Sequence, residues 1–485
     1  MKTLASLCLF LGVDKPTVDL ELIDLFIDSR EITPNSVFIA LQGEKCHGLD
    51  YRETACKQGA KLILSDKKHT EKSSVLVIFV ENLAEKLADL SGWFYDNPSQ
   101  KMKLVGVTGT NGKTSVVHYV AQLCSPYQKV AVLGTLGNGI FGQLEKTANT
   151  TLNSVSLNRK LAEFNRLDVD IVLMEVSSHA IALNRIKGLS FTTLALTQVT
   201  SDHLDFHGSV EEYREVKRSL FTNYKADNCV LNLDDKLGKS LNESALNCSS
   251  VISYGLSKQT NIHATDVVYL QDGLQTKINN NFIKLGLFGY FNLENIMCAL
   301  GICQSLGLAV DKLVGDLKDL LPVSGRMEIV SITPTIIIDY AHTEDALLSI
   351  LVSAKQHLIE EDSKIILVFG CGGDRDKSKR PLMGKVAVKY ADKIILTDDN
   401  PRFEESTKIM DDILKNISSE FKNIHCEHDR EKAIQLAILK ARKEDIVIIA
   451  GKGHEDYQDI KGIKYPTSDL LLVNRAKALL YKEII

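Results

Sequence analysis

Residues 106–115 read GVTGTNGKTS, after a short apolar run and before VVHYVAQL, which has the look of a helix. A glycine-rich turn between strand and helix, ending in Lys-Thr, suits phosphate. Glycines let backbone N–H groups turn inward, and a helix N-terminus favours an anion. The strict loop pattern is G-x-x-x-x-G-K-[ST]. Here Val107 stands where its first glycine would be, so the loop rests on Gly109, Gly112, Lys113 and Thr114, with Gly106 further back. In this reading Lys113 bridges the β- and γ-phosphates and Thr114 offers its hydroxyl to Mg²⁺.

Magnesium wants a hard oxygen from a second strand. DIVLMEVSSH (170–179) supplies one, because Glu175 ends an apolar run where a buried acid is costly without a cation. TQVTSDHLDFHG (197–208) follows another strand and gathers Asp202, His203, Asp205 and His207. Of these, His203 is the candidate for a metal or phosphate role.

Further out, the chain divides. Its 485 residues suggest about three domains. NPSQKMK (97–103) reads as a linker and LPVSGRMEIV (321–330) as a second seam, giving segments 1–100, 101–326 and 327–485. Beyond the second seam, apolar runs alternate with helical stretches: TIIIDYAHT, KIILVFGCGG, KIILTDDNPR and DIVIIAGKGHE. That alternation implies a doubly wound parallel sheet. All four runs carry their polar motif at the carboxyl end, where such sheets bind ligands.

Composition narrows the class. The chain is 44% hydrophobic and 25% charged with a net charge of −5, so no basic field points to nucleic acid. Ten scattered cysteines without a CxxC pair read as reduced thiols. The apolar patch LASLCLFLGV is too short to span a bilayer. The expectation is a cytoplasmic monomer that binds neither membrane nor nucleic acid.

Together GTNGKTS, MEVSSH, TSDHLDFHG, FNLENIMCAL, SGRMEIV, DYAHT, GCGGDRDKSKRPLMG, DDNPR and GKGHEDYQ resemble the Mur ligases, ATP-dependent amide-forming enzymes of peptidoglycan synthesis. The likeness runs from about residue 28 to 458. It implies an α/β protein of three domains: one for the uridine nucleotide, a central P-loop-type ATPase with a mostly parallel sheet, and a Rossmann-like doubly wound C-terminal domain. DDNPR is similar to the members that add meso-diaminopimelate to UDP-N-acetylmuramoyl-L-alanyl-D-glutamate through an acyl phosphate. A lysine-adding ligase and a folylpolyglutamate synthetase-like ligase are the alternatives, followed by a P-loop switch or kinase and a non-catalytic scaffold.

The resemblance also implies roles. Gly109, Thr110, Asn111, Gly112, Lys113, Thr114, Ser115, Asn292, Asn295, Arg326 and Asp339 match positions that hold ATP. Thr114 and Glu175 match ligands of one Mg²⁺, and Glu175 and His203 help hold a second. Lys217, in YREVKRSLF, matches a lysine carbamylated by CO₂ into a metal ligand; by sequence alone it reads as a solvated helix charge. Ser29, Arg30, Thr150, Thr151, Ser177 and Arg185 match contacts to the UDP-linked substrate. Arg375, Asp399, Asn400, Pro401, Arg402, Gly451 and Glu455 match the diaminopimelate set. Its planar guanidinium suits Arg402 to the far carboxylate that L-lysine lacks. Two positions depart from the pattern. Leu183 stands where relatives often carry Gln, and Glu344 replaces a Pro, which is expected to soften a helix start.

Overall fold

The computed structural model describes residues 2–14, 19–43, 45–69, 73–147, 149–200, 202–418 and 420–482, without the side chains of 204, 205 and 480–482. Three sheets of decisive size follow one another along the chain.

The first holds four parallel strands in chain order: β1 (Leu25–Phe26), β2 (Ser36–Ala40), β3 (Ala60–Ser65) and β4 (Leu76–Phe79). Helix α1 (Leu83–Phe94) covers it, burying Leu83, Leu87, Leu90 and Phe94 at helical spacing. The expected linker at 97–103 is not loose chain. Pro98–Lys101 forms a 3₁₀ turn with Pro98 and Ser99 buried, and Asn165 Nδ2 donates to Pro98 O at 3.0 Å. Proline at the first position suits such a turn because its missing N–H has no partner there anyway.

The second sheet is built on β5 (Lys103–Thr108), followed by α2 (Lys113–Cys124). Strands β6 (Val130–Gly134), β7 (Gly137–Ile140) and β8 (Gln143–Glu145), helix α3 (Ser154–Arg166) and strand β9 (Ile171–Glu175) come next. Then come β10 (Phe191–Leu196), α4 (Val210–Asn223), β11 (Ala226–Asn232) and β12 (Cys248–Gly255). Strands β13 (Ile262–Leu270), β14 (Gly273–Ile278) and β15 (Asn281–Leu285) precede α5 (Tyr290–Ser305). The spatial order is β8-β7-β6-β9-β5-β10-β11-β12-β13-β14-β15. Strands β6 to β13 pair in parallel, and the ends are antiparallel. Because β5 lies between β9 and β10, the chain passes to both sides of it. Its carboxyl end is therefore a switch point, the place where open α/β sheets take ligands. Helices α2 and α5 cover one face and α3 and α4 the other, each with its own apolar core. The antiparallel tail β13–β15 has no counterpart in the sequence reading.

The third sheet has β16 (Glu328–Ile332) antiparallel to β17 (Thr335–Asp339), then helix α6 (Glu344–Gln356), β18 (Ile365–Phe369), α7 (Lys379–Tyr390) and β19 (Lys393–Leu396). After them come α8 (Ser406–Leu414), β20 (Ile424–Cys426), α9 (Arg430–Leu439) and β21 (Ile446–Ala450). The order β16-β17-β21-β18-β19-β20 is parallel from β17 onward, with helices on both faces, as the alternating pattern implies. A hairpin, β22 (Tyr457–Ile460) and β23 (Ile463–Pro466), and helix α10 (Asp469–Lys482) complete it. Glu344 begins α6: Thr343 caps the helix, and Glu344 and Asp345 occupy its first turn, where negative charge is favourable.

Polar contacts join the sheets. Arg159 of α3 reaches Glu31 at 3.5 Å and lies over the Phe26 ring. At the other junction the buried His357, just past α6, accepts from Gly289 N–H at Nε2 (3.0 Å) and meets Leu270 O at Nδ1 (2.7 Å). Those two bonds require the neutral ring with its proton on Nδ1.

Candidate active site

The loop after β5 is shaped by contact as much as by conformation. Gly109 and Gly112 have positive φ, and a Cβ on either would collide with Thr197 Oγ1 or Asn295 Oδ1. Thr197 Oγ1 ties the loop down by donating to Asn111 O at 2.6 Å, and Thr110 N donates to Gln198 O at 2.7 Å. Lys113 Nζ folds back onto Gly109 O (2.9 Å) and Thr110 O (2.8 Å). Burial lowers its pKa, with Glu175 and Asp202 opposing that shift.

Glu175 ends β9 and is almost fully buried. Thr114 Oγ1 lies 3.0 Å from both its carboxylate oxygens, Thr135 N donates to Oε1 at 2.8 Å, and Thr135 Oγ1 donates to Oε2 at 3.1 Å. Among the described residues it has no ion pair. Beside it, Thr151 Oγ1 donates to Glu175 O (2.8 Å) and accepts from Ser177 N (3.1 Å). Arg185 Nη1 donates to Thr151 O at 3.3 Å, and Thr150 meets Thr135 hydroxyl to hydroxyl at 3.1 Å. Four residues that the resemblance assigns to the UDP-linked substrate therefore gather beside Glu175. Leu183, one residue past the short helix Ser178–Ala182, is half-exposed.

Lys217 is where reading from sequence alone fails. It is not solvated: α4 buries Tyr213, Lys217, Leu220 and Phe221 along one stripe, and Lys217 is 1% exposed. Its Nζ donates to Gly109 O at 2.9 Å, the same oxygen that Lys113 uses, and lies 4.7 Å from the Tyr213 ring centroid. Burial, then the nearby Lys113, hold its pKa well below the ordinary value. His203 has φ +51°, pairs with Asp202 at 3.4 Å and stands half-exposed at the rim. The Asp205 side chain lies outside the described residues. Buried His207 faces Ser178 Oγ at 2.9 Å, a packing role. Among the described residues no three His, Cys, Asp or Glu side chains are grouped to hold an ion.

A cleft of about 380 Å³ joins these groups to the third sheet. Lys113, Thr114, Ser115, Glu175, His203 and Asn295 line it from one side, and Arg326 and Asp339 from the other. Asn292 lies behind the wall: its Nδ2 donates to Phe288 O at 2.8 Å, and its Oδ1 accepts from Tyr119 OH at 3.2 Å. Arg326 stacks on the Tyr340 ring, with its Nε buried and without a hydrogen-bond partner among the described residues. Asp339 accepts from Met327 N and Ala341 N, both at 2.7 Å, and burial raises its pKa.

The carboxyl ends of β18, β19 and β21 bring the amino-acid candidates together. Asn400 Nδ2 donates to Glu455 Oε2 at 2.8 Å. Arg402 Nη1 donates to Gly373 O at 2.7 Å from a residue with φ +51°, and its backbone pairs with the β22–β23 hairpin. Pro401 O accepts from Glu404 N, closing a turn. A Cβ on Gly372 would approach Arg402, Arg375 and Asp399, so three candidates converge there; Arg375 is exposed and Asp399 buried. Gly451 N donates to Asp339 O at 3.1 Å, which ties this cluster to the cleft.

The sequence reading missed the residues that hold these candidates. Fully buried Arg380 pairs with Glu404 at 2.8 Å and Asp412 at 2.9 Å, and that arginine holds the Glu404 carboxyl far below the usual range. Thr135, Tyr213 and Lys452 were also unmarked. Ser29 and Arg30 stand apart from the cleft: Ser29 is buried, and exposed Arg30 pairs with Asp28 at 2.6 Å.

Three family models match the chain in succession. Residues 24–95 match the Mur ligase family catalytic domain, residues 107–303 the Mur ligase middle domain, and residues 325–453 the Mur ligase glutamate ligase domain. A Chromobacterium violaceum protein named UDP-N-acetylmuramoyl-L-alanyl-D-glutamate–2,6-diaminopimelate ligase is 38% identical over 93% of each chain. One of the same name from Vibrio vulnificus is 36% identical over 91% of this chain and 92% of its own. A solved structure of a ligase so named superposes with a TM-score of 0.67 at 32% identity, over 95% of both chains. A folylpolyglutamate synthase from Mycobacterium tuberculosis shares the fold at 16% identity, TM-score 0.59, over 75% of this chain and 91% of its own.

Proposed function

The chain belongs to the Mur ligase family, and from that premise we propose that it joins meso-2,6-diaminopimelate to the D-glutamyl group of UDP-N-acetylmuramoyl-L-alanyl-D-glutamate, a step in peptidoglycan precursor synthesis. The observation that carries this reading is the shared cleft. Its phosphate loop faces Arg326 and Asp339, and Asp339 is tied by its backbone to Gly451 of the amino-acid cluster.

A carboxylate is a poor electrophile. Transfer of the γ-phosphoryl group of ATP to one of its oxygens yields ADP and an acyl phosphate. The amine of the amino acid then attacks the carbonyl carbon; the tetrahedral intermediate loses phosphate and a proton as the amide forms. Lys113 would neutralise charge on the transferring group, and Arg326 would close on the nucleotide from the opposite wall. Asp399 and Glu455 would hold the far ammonium, and Arg402 and Arg375 the far carboxylate.

Mur ligases use ATP with magnesium. Thr114 and Glu175 fit a hard divalent ion, since a buried carboxylate without a cation partner is costly alone. Bound there, Mg²⁺ would screen the repulsion between the two anions that must meet. A second ion would be held by Glu175, His203 and Lys217 as carbamate. Carbamylation joins the neutral Lys217 amine to CO₂ and releases one proton, and burial favours that neutral amine. Lys217→Ala should abolish turnover and small carboxylates should partly restore it; a fully active alanine variant rejects the carbamate.

Among the described residues no helix is long and apolar enough to cross a membrane. We place the reaction in the cytoplasm, carried out by a monomer.

The deciding experiment measures phosphate release from ATP with the UDP-dipeptide and either meso-diaminopimelate or L-lysine. Release with the first alone, and a product heavier by one diaminopimelate residue, is expected. Release with lysine would keep the ligase but remove the role given to Arg402. No release with either would reject the proposal in favour of a folate-type ligase or a switch.

A further inference from the structure

Lys452 carries a full charge into a place with no solvent. Its side chain is 0% exposed and sits beneath the cluster formed by Asn400, Arg402 and Glu455. A buried ammonium is expensive unless every proton finds an acceptor. Here all three do: Nζ donates to Asn400 Oδ1 at 3.1 Å, to Glu455 Oε2 at 3.0 Å and to Tyr457 O.

The consequence lies in what those bonds force on the neighbours. Asn400 Oδ1 also accepts from Asp459 N at 2.9 Å, so both lone pairs of the amide oxygen are taken. The amide cannot flip, and its Nδ2 must face Glu455, where it donates to Oε2 at 2.8 Å. Glu455 Oε2 therefore receives two donors. Oε1 makes none of these bonds and is left for a ligand. The third bond, to Tyr457 O, fastens the start of β22. That hairpin supplies the carbonyl of Asp459 to Arg402 N (2.9 Å) and the N–H of Lys461 to Arg402 O (2.7 Å). One ammonium thus joins three segments: residues 451–455, residues 399–402 and the hairpin.

We propose that Lys452 is a positioning residue for the amino-acid substrate: together with the Asn400 amide it holds Glu455 so that Oε1 faces the substrate's far ammonium, without touching the substrate itself. This rests on assigning the cluster to the amino acid. It also explains how two acids, Asp399 and Glu455, stand together in a largely buried site: the ammonium beneath neutralises one of them before any ligand arrives.

The test is steady-state kinetics on the full chain, with Lys452→Met, Glu455→Gln and the double variant. Lys452→Met should raise KM for meso-diaminopimelate roughly tenfold to a hundredfold, with kcat and the KM values for ATP and the UDP-dipeptide little changed. In the Glu455→Gln background the same substitution should add less than about threefold, because coupled residues are not additive. Equal rises in all three KM values, or full additivity with Glu455→Gln, would overturn the proposal and leave Lys452 a structural residue. Should the Met variant fail to fold, Lys452→Gln replaces it, retaining a donor while losing the charge, with the same expectations. If Glu455→Gln itself leaves KM for the amino acid unchanged, the assignment of the cluster falls, a result distinct from failure of Lys452 alone.

Discussion

The two ends of the site solve the problem of buried charge in opposite ways. At the phosphate end, Glu175 is held by hydroxyls and one amide N–H, without a cation partner among the described residues. At the amino-acid end, Glu455 already has Lys452, and Glu404 already has Arg380. Both ends lie at the carboxyl edge of a parallel sheet, so topology does not separate them. The difference is what each lacks. At the first, the carboxylate has no ion-pair partner among the described residues although lysines stand nearby, which suits the proposed metal and phosphates. At the second, these acids already have cation partners, so in the proposed reading recognition would rest on the direction of its donors and acceptors.

The largest effects should fall at the uncompensated end. Glu175→Gln is expected to lower kcat by on the order of 10³-fold. Without magnesium it should fold at least as stably as the parent, since it removes a charge that desolvation penalises. The rise in melting temperature on adding Mg²⁺ with ATP should disappear. A variant that melts well below the parent in the absence of metal would break the comparison, showing that the carboxylate is satisfied as it stands.

At the compensated end, Arg402→Ala should raise KM for meso-diaminopimelate by roughly 10²–10³-fold while ATP binding, measured by calorimetry, stays near the parent value. Equal loss of both would mean that the substitution damages folding rather than recognition.

The smallest effect concerns the junction. Burial holds the pKa of His357 below its ordinary value, and both ring nitrogens are engaged in the neutral form. Between the ordinary and the folded value the unfolded chain binds more protons, so the stabilisation is present above about pH 6.5 and is lost as pH falls through that window. His357→Gln should lower the melting temperature by roughly 2–4 °C at pH 7.5, and the gap to the parent should narrow towards pH 5. A gap independent of pH would remove the ring's proton from the account.

Sequence legibility followed the same divide. Lys113, Thr114 and Glu175 could be read because each belongs to an unbroken local pattern: an apolar strand, then the reactive residue at its end. Lys217 could not, although a signal existed. It occupies a position in the apolar stripe of α4, four residues after Tyr213 and three before Leu220, and a charge on a buried stripe calls for an explanation. Arg380 sits likewise on the buried side of α7 with Met383, Gly384 and Ala387. Lys452 lies in a turn without periodicity, so no spacing could mark it. The tail β13–β15 was missed for another reason. A register shift between Thr265 and Val268 interrupts the alternation of its first strand.

His357 fixes one end of α6, and Thr343, at the other end, lines the cleft. Thirteen residues make a rod about 20 Å long. Such a rod is a lever. Turning it about 5° at the pinned end would sweep the cleft wall through about 2 Å. Bringing an amine into attack range is a displacement of that size. Because Leu347, Ile350, Leu351 and Ala354 seat α6 in the core of the third sheet, helix and sheet would turn as one body, and a shift at the His357 joint would reach the cleft wall undiminished.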